Sequence, residues 1–295
     1  MKIIKAIGSG ALRSVKAYKG VILIWLFYLI LVLMLVIPMK GALKAGFGRS
    51  MITEMLRDGI NIEVFSDLGV QLKSLFSFFS SGLVFLVFLG ILMNAFLGGG
   101  LFNSLKGTAG RFSTAEFFRT SARYFWSFLG VTVIISLMLL FLGVFIIGLP
   151  VGITAQVDAG SEKVIFIIAI IGVAAYLVTV IILLLVADYS RAWLVTAEKP
   201  ACFKAIGFGF SSAFGSFLSS FPMMMLLLVI QVLFGWLTIM LIGLWKPVTG
   251  GGVFLLFLVS QLLFFIKILL KAWRYGSITS LMELNAMSED PAKQS

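Results

Sequence analysis

Lys267, Lys271 and Arg274 stand at i, i+4 and i+7, so on a helix they form one cationic stripe. They lie in or just after an apolar run, where a lysine can stretch its stem and lift its ammonium to the bilayer surface. That placement predicts contact with lipid phosphate. Asp188, at the end of another apolar run, offers a second partner, and an Asp188–Lys271 or Asp188–Lys267 ion pair fits the spacing equally well. The uncharged polar groups inside apolar runs are Asn94, Gln231 and Gln261. Gln231 lies 16 residues before Pro247 and Gln261 lies 14 after it, so a hairpin turning at the proline brings both amides to similar depth. With no water to bond, each is the other's remedy, and such a bond contributes about 0.6–2 kcal/mol to helix association. Gln231 and Gln261 are therefore expected to form an intramembrane polar pair; contact with a transported substrate is the competing role.

Reactive chemistry has little to work with. The chain has no His and one Cys, Cys202. That removes the commonest general base and metal ligand and excludes an internal disulfide framework. Its 12 acidic residues fall mostly outside the apolar runs, and no two carboxylates share a helix face within one. A nucleophile, a base and an orienting partner cannot be assembled from them. Gly98-Gly99-Gly100 and Gly250-Gly251-Gly252 flank apolar runs and lack the strand–loop–helix setting of a phosphate loop, so they read as turns or close helix approaches. No Asp or Glu occupies the middle third of an apolar run, which argues against proton or sodium coupling. The expectation is a non-enzyme with no cofactor and no metal.

Six apolar runs must position these residues: 21–38, 82–102, 127–149, 164–187, 217–245 and 253–272. About 20 apolar residues cross a bilayer core of roughly 30 Å. The chain is 61% hydrophobic and 12% charged, about half the charged share of a soluble domain, so it belongs in a membrane. Its net charge of +11 then marks the cytoplasmic ends of spans rather than a nucleic-acid surface. With the N-terminus inside, 15 Lys and Arg fall inside and 7 outside, leaving Lys267 in the last span. Five of those seven share the long loop 39–77 with Glu54, Asp58, Glu63 and Asp67, and long loops weigh little in the rule. Both termini are expected in the cytoplasm. Val21–Pro38 exceeds a signal-peptide core, so the first run reads as a retained anchor.

The runs pair up. Basic, small and aromatic residues precede each odd run: Lys5-Ala6-Ile7-Gly8-Ser9-Gly10, then Phe117–Phe125, then Lys204-Ala205-Ile206-Gly207-Phe208-Gly209, the first and third sharing K-A-I-G-x-G. A proline closes each odd run, at Pro38, Pro150 and Pro247. Between 112 and 126, Phe117, Phe118, Ser121, Tyr124 and Phe125 share one helical side, with Arg119 and Arg123 on another. Such a helix lies in the interface, aromatic side down and basic side toward headgroups, and residues 3–19 read the same way. The expected fold is an all-α membrane protein of six transmembrane helices, arranged as three repeated hairpins, each preceded by a cytoplasmic interfacial amphipathic helix. One integral membrane domain covers 1–295, with units of about 1–103, 104–199 and 200–283 and a polar tail at 284–295. The loop 39–77 is too short and apolar for a domain and is expected to cap the bundle.

Glu116–Phe125 and Ala187-Asp188-Tyr189-Ser190-Arg191-Ala192-Trp193-Leu194-Val195, with Lys204–Gly207 after them, resemble a loose family of bacterial six-span proteins akin to the membrane domain attached to some glycerophosphodiester phosphodiesterases. The resemblance implies a bacterial inner-membrane protein. No soluble barrel is present, so it carries over no enzymatic residue. The function expected is a structural, accessory or lipid-interacting component of a membrane complex. Lys16, Arg119, Arg123, Lys267, Lys271 and Arg274 would contact lipid headgroups or partners. The expected partners are anionic lipids and other membrane-protein subunits, with no nucleic acid. The rival reading is a transporter of a lipid or other amphiphile.

Overall fold

The computed structural model describes residues 2–47, 69–107, 112–156, 162–247 and 249–289. Most of the 39–77 loop and the last residues of the polar tail lie outside the described residues. The regular structure is helical: α1 (Lys2–Lys16), α2 (Tyr18–Phe47), α3 (Gly69–Ser104), α4 (Thr114–Gly143), a π-helical turn (Val144–Gly148), α5 (Leu149–Gln156), α6 (Glu162–Thr196), α7 (Cys202–Gly215), α8 (Phe217–Leu244) and α9 (Gly250–Glu289). Six helical segments are long and apolar enough to cross a membrane: Tyr18–Pro38, Phe79–Ser104, Thr114–Gln156, Glu162–Thr196, Phe217–Leu244 and Gly250–Met287. Each holds one of the six apolar runs.

Two of the three prolines do not end their helices. α2 continues through Pro38 to Phe47. Around Pro150 the helix widens into the π-turn, where Leu149 N–H donates to Val144 C=O, and then runs on as α5. A proline deprives the carbonyl four residues earlier of its donor, and a widened turn relieves the crowding. A span has no helix-free alternative in lipid, so it bends rather than stops. Only Pro247 follows a helix end, at Leu244.

The chain divides into two compact units. In the smaller, Ile24–Asn94, Gly82 lets α3 approach α2: a Cβ there would meet Leu35 Cδ1 at 2.5 Å. The larger comprises Met1–Leu23 and Ala95–Ser295. In it α1 packs on α9, α7 on α6, α4 on α6, and α8 on α9.

Three close crossings organise the larger unit, and each pairs one glycine with one serine. A Cβ on Gly10 would strike the backbone and hydroxyl of Ser277. On Gly209 it would strike the Ser190 hydroxyl and come within 2.6 Å of the Val186 carbonyl. On Gly100 it would lie 2.6 Å from Ser121 Oγ, which accepts a bond from Gly100 N–H at 3.1 Å. The serine hydroxyls stay satisfied without bulk, since Ser277 Oγ donates to Trp273 C=O at 2.9 Å and Ser190 Oγ to Val186 C=O at 2.7 Å. Small residues permit such approach where lipid supplies no hydrophobic push.

These crossings correct the expectation for 112–126. That stretch is no separate interfacial helix but the first turns of α4, N-capped by Ser113, and its aromatic side faces protein: Phe117, Ser121 and Tyr124 are buried. α1 and α7 are distinct helices, yet their small-residue faces (Ala6, Gly10 and Ser14; Ala205, Gly209 and Ala213) are buried as well. Further along α8 the opposite holds. Trp236, Leu237, Ile239, Met240 and Leu241 are 57, 47, 74, 46 and 46% exposed. At about 100° per residue they span about 200° of the helix's circumference, a broad apolar face that lipid or another apolar surface must solvate.

Candidate functional site: an ionic clasp and a polar cavity

Asp188 sits on α6 with no exposed surface. Arg191, one turn on, donates from Nη1 to Asp188 Oδ1 at 3.2 Å and from Nη2 to Thr132 Oγ1 of α4 at 3.1 Å. Arg274 of α9 brings Nε to 3.0 Å from Asp188 Oδ2. Those two atoms have no directed hydrogen bond, so the contact is coulombic. Arg274 Nη1 also reaches Gln231 Oε1 of α8 at 3.5 Å, and its guanidinium lies over the Tyr275 ring at 5.1 Å from the centroid. One carboxylate and two guanidiniums thus tie α4, α6, α8 and α9 together. Arginine suits this role better than lysine because its fork is planar and less strongly hydrated. The clasp carries one more positive charge than negative, which the Gln231 and Thr132 oxygens partly compensate.

Two expectations change here. Arg274 is not a headgroup contact: it is 7% exposed and spent on Asp188, the partner expected for Lys267 or Lys271. Gln231 does not pair with Gln261. Its Nε2 donates to Leu270 C=O at 3.4 Å. Leu270 lies nine residues beyond Gln261 on α9, about 14 Å along the axis. A matched distance from Pro247 overlooked that the hairpin arms are offset, since α8 ends at Leu244 and α9 starts at Gly250. Lys267 is exposed, and Lys271 places Nζ 5.7 Å from the Tyr275 ring centroid. Arg119 is exposed. Arg123 donates from Nη2 to Glu198 C=O at 3.1 Å, so it holds the end of α6. Glu198 needs holding: its φ of 57° is left-handed, costly for a side chain with a Cβ. Lys106 Nζ reaches its carboxylate at 3.5 Å.

Beside Glu198 opens a cavity of about 500 Å³, within the range of small-molecule sites. Its wall combines the end of α1, the end of α3 and the start of α4, including Arg13, Lys16, Asn103, Lys106, Glu116 and Glu198, with Phe112 and Phe117 supplying apolar surface. Arg13 is engaged, donating to Glu283 Oε2 at 2.6 Å and to Leu105 C=O at 3.2 Å. Glu283 in turn accepts from Gly107 N–H at 3.1 Å. Of the expected site residues, Lys16 alone lines this cavity. The sequence holds its components, but nothing in their spacing places 13, 103 and 198 together. Among the described residues no cluster of His, Cys, Asp and Glu could hold a metal.

Comparison with protein-family models, curated proteins and solved structures finds no match.

Proposed function

We propose that the protein is a non-catalytic polytopic membrane protein that binds phospholipid at the face built by α1, α7 and the start of α4, as a structural or accessory component of a membrane complex. The observation that carries this reading is how its charges are spent. Asp188, Arg191 and Arg274 serve one another, as do Arg13 and Glu283, and Lys106 and Glu198. Arg119, Lys199 and Lys204 stay exposed near the same helix ends, which Arg123 joins through Glu198. Cations presented this way attract anionic headgroups by about 1 kcal/mol each. The 15-to-7 asymmetry supports a cytoplasmic placement of this face, and the sequence resemblance supports a bacterial inner membrane.

A threefold repeat fits the three crossings. In each, the helix that opens one hairpin packs on the second span of another: the start of α4 on α3, α7 on α6, and α1 on α9. The two K-A-I-G-x-G copies also behave alike, with the second glycine in close contact and the first, Gly8 or Gly207, in open space. In the transport reading Gln231 would face a path; it is instead engaged between α8 and α9.

The test is lipid retention in mild detergent. The Arg119→Gln/Lys199→Gln/Lys204→Gln variant should carry severalfold less anionic phospholipid than the wild type at an unchanged melting temperature. Equal retention would overturn the reading.

A further inference from the structure

We propose that the cavity between α1, α3 and α4 is a site for a phosphoethanolamine headgroup, a zwitterion with a phosphate and a primary ammonium. The inference rests on the lipid-binding reading and names the ligand class of one place on that face. Most charges in the wall are already matched: Arg13 with Glu283, Lys106 with Glu198. Two are not. Lys16 has no anionic partner among the described residues, and Glu116 accepts only an amide bond, from Asn103 Nδ2 at 3.4 Å. Among the described residues, one cation and one anion without an ion-pair partner thus line the same space. A purely anionic ligand satisfies Lys16 and leaves Glu116 facing like charge. A purely cationic one does the reverse. A zwitterion satisfies both.

Placement and chemistry narrow the ligand further. Lys16 and Ala17 precede the span that opens at Tyr18, Ser104 closes the second candidate span, and Glu116 lies in the first turn of the third. The cavity therefore sits where spans meet the interface, the level of phospholipid headgroups. Ser113 caps α4 by accepting from Glu116 N–H at 3.5 Å, which fixes the backbone that carries the carboxylate. A primary ammonium can donate up to three hydrogen bonds to that carboxylate, whereas a trimethylated one donates none. Phosphoethanolamine should accordingly be held over phosphocholine.

The experiment is native mass spectrometry of the full-length protein released from detergent after titration with phosphatidylethanolamine, its mono- and dimethyl derivatives, phosphatidylcholine and phosphatidylglycerol. Wild-type adducts should persist through the mono- and dimethyl lipids, which keep an N–H donor, and fall about tenfold at phosphatidylcholine, the loss of one hydrogen bond to a charged group. Glu116→Gln should erase that preference and strengthen phosphatidylglycerol adducts, since it removes the like charge. Lys16→Gln should weaken phosphatidylethanolamine adducts about tenfold and keep the order of the series. The wild-type series decides the matter even if a variant fails to fold. Soluble phosphoethanolamine is the competitor: displacement of the lipid by it assigns the headgroup alone as ligand, and resistance assigns the lipid-borne form, and either supports the charge pairing. Equal binding of the ethanolamine and choline lipids would overturn the inference. If phosphatidylglycerol still binds in that case, the broader lipid-binding reading survives; if no lipid binds, both fall.

Discussion

Arg274 of α9 meets Asp188 of α6 at 3.0 Å, and neither side chain reaches the surface to any useful extent. Arg191 claims the other carboxylate oxygen. Asp188 is therefore the hub, and the two arginines are unequal in what their loss would leave behind.

Asp188→Asn should leave two buried guanidiniums without a counter-charge and cost about 3–5 kcal/mol. Arg274→Gln leaves the neutral Asp188–Arg191 pair and should cost distinctly less. Unfolding of the two variants in detergent, followed by helical circular dichroism, checks the order. A larger loss in Arg274→Gln would contradict the hub assignment.

The shared glycine motif makes a paired prediction. Gly10→Ala and Gly209→Ala push a methyl group into Ser277 and Ser190 and should each destabilise by about 1–3 kcal/mol. Gly8→Ala and Gly207→Ala meet nothing within 4 Å and should stabilise by about 0.5–1 kcal/mol, since alanine is the better helix former. Melting temperatures of the four variants read this directly, and opposite signs at neighbouring glycines are the signature.

The spans were legible because a long apolar run has one dominant use. The K-A-I-G-x-G copies were visible too, as letters, though only packing separates the jammed glycine from the free one. The Asp188 partner was misjudged within the correct stripe. Spacing puts Lys267, Lys271 and Arg274 on one face but does not say which of them reaches a neighbouring helix, and burial favours the guanidinium. Arg191, three residues after Asp188, stands at the i, i+3 spacing of a same-helix partner, a spacing that any end-of-span cation can share. The amphipathic reading of 112–126 failed because an aromatic face looks the same whether lipid or protein covers it. The cavity was beyond reach, since its wall joins residues almost 190 positions apart.

Cys202 opens α7, outside the spans, and burial pushes its thiol above the usual cysteine range by disfavouring the thiolate. The thiolate is the reactive form. Maleimide should therefore label Cys202 more slowly than free cysteine near neutral pH, and the rate should climb at higher pH than is usual for a thiol. As the one cysteine in the chain it also reports sidedness. An impermeant maleimide should reach it in inverted vesicles and not in intact spheroplasts. Labelling from outside would reverse the proposed topology.

Binding without transport is the centre of this account, and phospholipid flipping tests it most directly. The protein is reconstituted into vesicles carrying a fluorescent phospholipid, and dithionite quenches the outer leaflet. The account predicts that the inner-leaflet signal decays no faster than in protein-free vesicles. Accelerated flipping by the wild type, lost in Gln231→Leu at equal reconstitution, would contradict it and return Gln231 to a transport path.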